Sequence, residues 1–161
     1  LTGGAIPLAA TLATSDIFAS HYSEDRNKTF FHSSSYTANP IACAAGLANV
    51  EIWRTEPVLE RIGELTDMQR ARIADIGRDD VFANARQLGT ITALDIAVPD
   101  GGYLASIGPR LQIEFLARGV LLRPLGNTVY VMPPYCIGAG DLDHVYGAIR
   151  AGEAATRAEL R

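Results

Sequence analysis

The spacing of apolar positions changes several times along the chain, and each change predicts an element. Residues 5–14, Ala-Ile-Pro-Leu-Ala-Ala-Thr-Leu-Ala-Thr, suit a short buried strand, with Pro7 near its start where a missing N–H does least harm. Ser15-Asp16 then signals a helix start. After a polar stretch from Ser23 to Thr29, Asn39-Pro40 opens a second helix with a capping side chain and proline at the first helical position. Ile41, Ala44, Ala45, Ala48 and Ile52 recur along it at helical spacing, small enough for close packing on another element. Thr55-Glu56-Pro57 starts a third helix, on which Val58, Ile62, Leu65, Ile73 and Ile76 share one face up to Gly77.

Beyond Gly77 the composition favours extended structure. Residues 81–86 and 90–96 predict a two-strand unit around a turn containing Gly89. Asp100-Gly101-Gly102 breaks that pattern. Ser106 is then placed to cap a helix carrying Ile107, Leu111, Phe115 and Leu116, with Gly119 as its C-terminal stop. Residues 120–124 and 128–132 predict a second, apolar hairpin joined by the three-residue loop Leu125-Gly126-Asn127. Asp141 is placed to cap a last helix with Leu142, Val145 and Ile149 on one face. This order of elements implies α/β or α+β structure, with a domain boundary between Ile52 and Pro57.

Composition removes several function classes. The chain has 161 residues, 48% hydrophobic and 20% charged, which suits one sizeable core or two small ones. With 18 acidic against 14 basic residues it carries no basic stripe for a phosphate backbone, so nucleic acid is not an expected partner. His21, His32 and His144 stand apart from one another and from both cysteines, so no metal site is expected. Cys43 and Cys136 form no CxxC pair, which favours a reducing, cytoplasmic setting. The apolar runs fall well short of a membrane span, so no membrane partner is expected. Lys28 is the one lysine. A sequence that opens inside the glycine-rich phrase Leu1-Thr2-Gly3-Gly4, without methionine, is expected to be a piece of a longer polypeptide.

Two places hold candidate chemistry. In Ser33-Ser34-Ser35-Tyr36-Thr37-Ala38-Asn39-Pro40, hydroxyls and backbone N–H groups gather before a helix N-terminus, an arrangement that suits phosphate or carboxylate. A plain capped helix start in a polar loop accounts for the same residues. Arg123, between Leu122 and Pro124, is a guanidinium in an apolar setting with no acidic neighbour in sequence. It calls for a carboxylate or phosphate, either a ligand or a structural ion pair. Tyr130, in the same hairpin, serves equally as a pocket hydroxyl or as core. A Gly-x-Ser-x-Gly elbow, a P-loop and a dinucleotide fingerprint are all absent from the sequence.

The phrases Leu1-Thr2-Gly3-Gly4, Pro7-Leu8-Ala9-Ala10-Thr11, His32 to Ala45, Arg123-Pro124-Leu125-Gly126 and Tyr130 to Tyr135 together resemble the class III aminotransferases. The resemblance runs from Leu1 to about Arg150. It implies an α/β fold, the C-terminal part of a fold-type-I transferase that uses pyridoxal 5′-phosphate. Residues 1–52 would complete the large domain and begin the interdomain helix, and residues 53–161 would form the small C-terminal domain. In the family the lysine that holds the cofactor precedes the phrase matched by Leu1 to Gly4. That lysine would lie in the missing N-terminal part of the polypeptide, and Lys28 lies outside the motif. This chain alone would be inactive.

The same resemblance implies site residues. Ser35, with Ser34 beside it, matches the hydroxyl residue that reaches the cofactor of the neighbouring subunit, so the active site would be shared across a homodimer. Ser33 stands where the pattern has glycine and would bring its backbone to the substrate. Arg123 matches the arginine for the substrate carboxylate, and Tyr130 matches a tyrosine lining the pocket. Within the family the resemblance is to the biotin-synthesis branch, which passes an amino group between small molecules, from S-adenosylmethionine to 8-amino-7-oxononanoate. An ω-amino acid:pyruvate transaminase and a non-catalytic ligand-binding or assembly module are the alternatives.

Overall fold

A computed structural model describes residues 1–32 and 34–159 of the chain. They divide into two compact units, Leu1–Val58 and Leu59–Arg161.

In the first unit, Thr2-Gly3-Gly4 forms a turn in which the Ala5 N–H donates to the Thr2 carbonyl, and both glycines take the positive φ that glycine alone adopts without strain. Residues 5–14 then run without pairing, and most of their side chains are exposed. The strand expected there is not formed. A strand needs a neighbour for its backbone N–H and C=O groups, and no strand lies in this unit among the described residues. Helix α1, Ser15–His21, is capped by the Thr14 hydroxyl, which accepts from the Ile17 N–H. A short 3-10 turn, Arg26–Lys28, follows, capped by Asp25. Helix α2, Pro40–Thr55, starts as the sequence predicts, with Asn39 as cap and Pro40 at its first position. Its expected apolar face is not covered inside the unit. Ala42 is its one buried side chain among the described residues, while Ile41, Leu47 and Ile52 are exposed.

The second unit holds the core. Helix α3, Val58–Ile76, lies in this unit from Leu59 onward and buries Leu65, Ile73 and Ile76 along the predicted face. Strands β1, Phe82–Leu88, and β2, Ile91–Ile96, form the predicted antiparallel hairpin. A bulge between Ala83 and Arg86 interrupts its register, with Asn84 at a φ of 50°. Helix α4, Ile107–Ala117, buries Ile107, Leu111 and Phe115, but Leu116 points outward, half exposed. Strand β3, Thr128–Val131, pairs antiparallel with β2, so the sheet order is β1-β2-β3. Helix α5, Ala139–Glu159, closes the unit. Gly152 lies against the Phe115 ring, where an added Cβ would come within 2.7 Å, so α4 and α5 approach closely. One sheet face, with Phe82, Thr92, Leu94, Ile96, Val129 and Val131, packs with these helices. Each fully buried Leu, Ile or Phe of this cluster contributes about 1.5–3 kcal/mol.

Four local expectations are corrected. Residues 120–124 are not a strand: β3 takes β2 as its partner, and Pro124 has no N–H to give to a ladder. The loop is also shorter than expected. Leu125 and Thr128 exchange hydrogen bonds of 2.8 and 3.1 Å around Gly126-Asn127, a two-residue turn whose first residue has φ 62°. Asp141 is not the cap of α5 but its third residue, and its carboxylate reaches back to accept from the Gly138 N–H at 3.3 Å. Ser106 occupies the cap position of α4 but makes no capping bond.

Candidate functional site

The sequence-predicted site residues fall in both units. In the first, Ser34 and Ser35 lie in the turn before α2. The Ser34 carbonyl accepts from the Thr37 N–H at 3.0 Å, and Ala38 closes the turn at a φ of 54°. Both serines are exposed, and their hydroxyls make no hydrogen bond among the described residues. Ser33 lies outside the described residues. The helix mouth itself is not open to an anion. Asn39 Oδ1 accepts from Ile41 N–H at 3.0 Å and Ala42 N–H at 3.2 Å, and its carbonyl accepts from Cys43 N–H. With Pro40 lacking an N–H, the first turn is already satisfied. Of the two readings of this stretch, the capped helix start accounts for the backbone N–H groups of α2, and what remains for a phosphate is the pair of serine hydroxyls. Such hydroxyls fit the phosphate of pyridoxal phosphate as neutral donors.

Lys28, in the 3-10 turn, is exposed, and its carbonyl lies 2.9 Å from His21 Nδ1. Nothing places its ammonium near the serines.

In the second unit, Arg123 sits on the irregular segment 121–124 rather than on a hairpin strand. Its guanidinium is exposed and has no hydrogen bond or ion pair among the described residues. That sets it apart from Arg72, Arg86, Arg118, Arg150 and Arg157, each of which is paired with an acid. The structural ion pair that could have explained Arg123 is not made among the described residues. Tyr130 lies on β3 on the sheet face away from the core, half-buried, opposite Ala93 of β2. Its hydroxyl has no partner among the described residues.

Two groups went unremarked in the sequence. Asp95 of β2 lies on the same outer sheet face as Tyr130. Its carboxylate accepts from Asn84 Nδ2 at 2.9 Å, Thr128 Oγ1 at 2.8 Å and the Arg86 guanidinium at 3.3 Å. Partial burial disfavours its charge, but the Asn84 and Thr128 hydrogen bonds and the Arg86 cation outweigh this and hold it below the usual 3.8. The available signal was a lone carboxylate among alternating apolar positions. Asn127 is the other. Its side chain bridges the turn beside Arg123 to Gly102 and to Ile96, contacts distant in sequence that no local pattern announces.

Elsewhere in this unit, the groove lined by Arg72, Asp75, Asp143, Tyr146 and Arg150 offers no free cation or acid. Its arginines are bonded to Asp143, Asp75 and Asp79, and the Tyr146 hydroxyl to Thr92 and Gln69. Among the described residues no His, Cys, Asp and Glu group could hold a metal ion, and no helix is long and apolar enough to cross a membrane.

Comparison with known proteins places this geometry in a family. The chain is 39% identical over 149 residues to the adenosylmethionine-8-amino-7-oxononanoate aminotransferase of Synechococcus elongatus, covering 92% of this chain and 35% of that protein. It is 32% identical over 150 residues to the enzyme of the same name from Geobacter sulfurreducens, covering 89% of this chain and 33% of that protein. The chain thus spans about a third of the length of the relatives it matches. Its structure superposes on the crystal structure of adenosylmethionine-8-amino-7-oxononanoate aminotransferase from Methanocaldococcus jannaschii with a TM-score of 0.81. That match has 29% identity and covers 92% of this chain and 36% of that one. The architecture, mixed helix and sheet, is part of the fold of the pyridoxal-phosphate-dependent transaminases. The class III aminotransferase family model matches residues 1–151, and the chain belongs to that family.

Proposed function

We propose that this chain is the C-terminal part of a cytoplasmic, homodimeric aminotransferase. The whole enzyme transfers an amino group from S-adenosylmethionine to 8-amino-7-oxononanoate, giving 7,8-diaminononanoate for biotin synthesis. The observation that carries the reading is the exposed, unpaired guanidinium of Arg123, in a chain 39% identical to an enzyme of that name. A cation with no ion pair among the described residues is available to an organic acid, and the planar fork of arginine suits a carboxylate bidentately.

In this reading residues 1–52 complete the large domain and residues 53–161 form the small one. Arg123 binds the substrate carboxylate and sets the register of the acyl chain. Tyr130, its hydroxyl unpartnered on the sheet face, lines the substrate pocket. Ser34 and Ser35 donate their hydroxyls to the phosphate of pyridoxal phosphate held by the neighbouring subunit, and the Ser33 backbone approaches the substrate. When bound, the cofactor supplies an electron sink for the pair left on the amino-bearing carbon as its proton departs. None of these residues moves that proton. That task belongs to a lysine outside this chain, since Lys28 lies in a polar turn, so the chain alone is expected to be inactive. The exposed, unpaired Cys43 and Cys136 suit the reducing cytoplasm.

The test is Arg123→Ala in the intact enzyme. A charge-assisted bidentate pair contributes about 1.5–3 kcal/mol, so keto-acid affinity should fall about tenfold or more. An unchanged KM for 8-amino-7-oxononanoate overturns the role. Turnover with S-adenosylmethionine compared with ω-amino acids tests the donor.

A further inference from the structure

Arg123 has to be presented by a segment that holds itself together poorly. Leu121, Leu122 and Arg123 make no backbone hydrogen bond among the described residues, and Pro124 cannot donate one. Among the described residues its backbone is hydrogen-bonded only at its ends. On the upstream side, α4 stops in a motif where the Val120 N–H donates to the Phe115 carbonyl and Gly119, at φ 73°, donates to Leu116. Leu122 adds a partly buried contact with the core. On the downstream side stands the two-residue turn, and one residue ties it down. Asn127 Oδ1 accepts from the Gly102 N–H at 2.7 Å, and Nδ2 donates to the Ile96 carbonyl at 2.9 Å. Its own carbonyl accepts from Ile96 N–H at 2.8 Å, and its N–H donates to the Gly102 carbonyl at 3.4 Å. The fit is close all round: a Cβ on Gly126 would meet the Gly102 carbonyl oxygen at 1.9 Å, and one on Gly108 would meet the Gly126 oxygen at 2.9 Å.

We propose that Asn127 is a positioning residue for the carboxylate substrate, acting through Arg123 by clamping the turn that ends its segment onto the Gly102 loop and the end of β2. The proposal rests on the assignment of Arg123 to the substrate carboxylate. Asn127 itself touches no reacting atom. Its loss lets the 121–127 span drift, and the guanidinium drifts with it. Misplacement on the scale of an ångström weakens a bidentate contact severely.

The experiment uses the intact enzyme with pyridoxal phosphate bound. It measures KM and kcat with 8-amino-7-oxononanoate, and the Kd of nonanoate, an unreactive monocarboxylate, by calorimetry. Asn127→Ala should raise KM and the nonanoate Kd together by about fivefold, with kcat held within about twofold. Arg123→Ala should raise both constants further, and the double variant should match Arg123→Ala alone. Wild-type constants in Asn127→Ala, or effects that multiply in the double variant, overturn the inference while leaving Arg123 in its role. Wild-type constants in Arg123→Ala overturn both. If Asn127→Ala does not fold, Asn127→Asp takes its place with the same outcomes, because it keeps the oxygen that accepts from the Gly102 N–H and removes the Nδ2 donor to the Ile96 carbonyl.

Discussion

Removing a single oxygen from Tyr146 should destabilise the second unit far more than its size suggests. The Tyr146 hydroxyl donates to Gln69 Oε1 at 2.7 Å and lies 2.7 Å from Thr92 Oγ1. Gln69 in turn donates from Nε2 to the Thr90 carbonyl at 3.1 Å. Gln69 and Thr92 are 0% and 1% exposed, so water cannot replace the missing partner. In Tyr146→Phe both polar atoms are stranded, each at about 1–3 kcal/mol, and with some relaxation the loss comes to roughly 2–4 kcal/mol. For a chain of this size that lowers Tm by roughly 5–12 °C. Thermal and urea unfolding followed by circular dichroism measure it. The companion variant replaces all three groups with apolar ones, Gln69→Leu, Thr92→Val and Tyr146→Phe, and should recover most of the loss because no donor or acceptor is left unmet. A Tyr146→Phe protein within about 0.5 kcal/mol of wild type refutes the reasoning, as does a triple variant no better than the single one. Burial raises the Tyr146 hydroxyl above its usual 10.0, against the lowering influence of Thr92 and Arg72. The folded state therefore favours the protonated phenol. Its contribution is complete below pH 10.0 and is lost as the pH rises through the folded value.

Asp95 makes the opposite prediction on the acid side. Its folded pKa lies below 3.8, so the stability it contributes is present above that value and lost as the pH falls through the lowered one. Asp95→Asn should cost about 1–2 kcal/mol at neutral pH and flatten the fall in urea midpoint between about pH 5 and pH 2; an unaltered slope refutes it. Thr156 is 0% exposed, and its Oγ1 has no partner among the described residues. Thr156→Val should stabilise the chain by about 1 kcal/mol in the same denaturation assay, and a destabilised protein would show that the hydroxyl is satisfied after all.

What the sequence disclosed and what it withheld follow from the range of the interactions. Helix α2 was legible because Asn39 and Pro40 act within one turn, and the end of α4 because Gly119 meets a purely local demand for positive φ. The buried face of α3 was legible from periodicity, which reports one side of one element, and the β1–β2 hairpin from strand-favouring composition around the turn at Gly89. Strand pairing is not local. Residues 5–14 and 120–124 have strand-like composition, yet neither has a ladder partner among the described residues. At the mouth of α2 the sequence left two readings open, an anion site and a plain capped helix start; the Asn39 cap is local and was legible, and its two hydrogen bonds show the backbone donors taken. Arg123 was legible as an unusual cation, while its lack of an acidic partner among the described residues is a matter of three-dimensional placement. Gln69, which the apolar pattern skipped, proved to be a buried member of the core.

The sheet's two outer strands carry a further consequence, for the behaviour of the molecule at high concentration. An open edge with unpaired backbone groups is a template on which another chain can stack, and growth of that kind leads to fibrils. Here β1 is bent by its bulge at Asn84, which breaks the regular row of donors and acceptors and twists the edge. Strand β3 offers four residues before Pro133 and Pro134 end the usable ladder. Straightening β1, by deleting its extra residue, should therefore show itself first as loss of solubility rather than loss of fold.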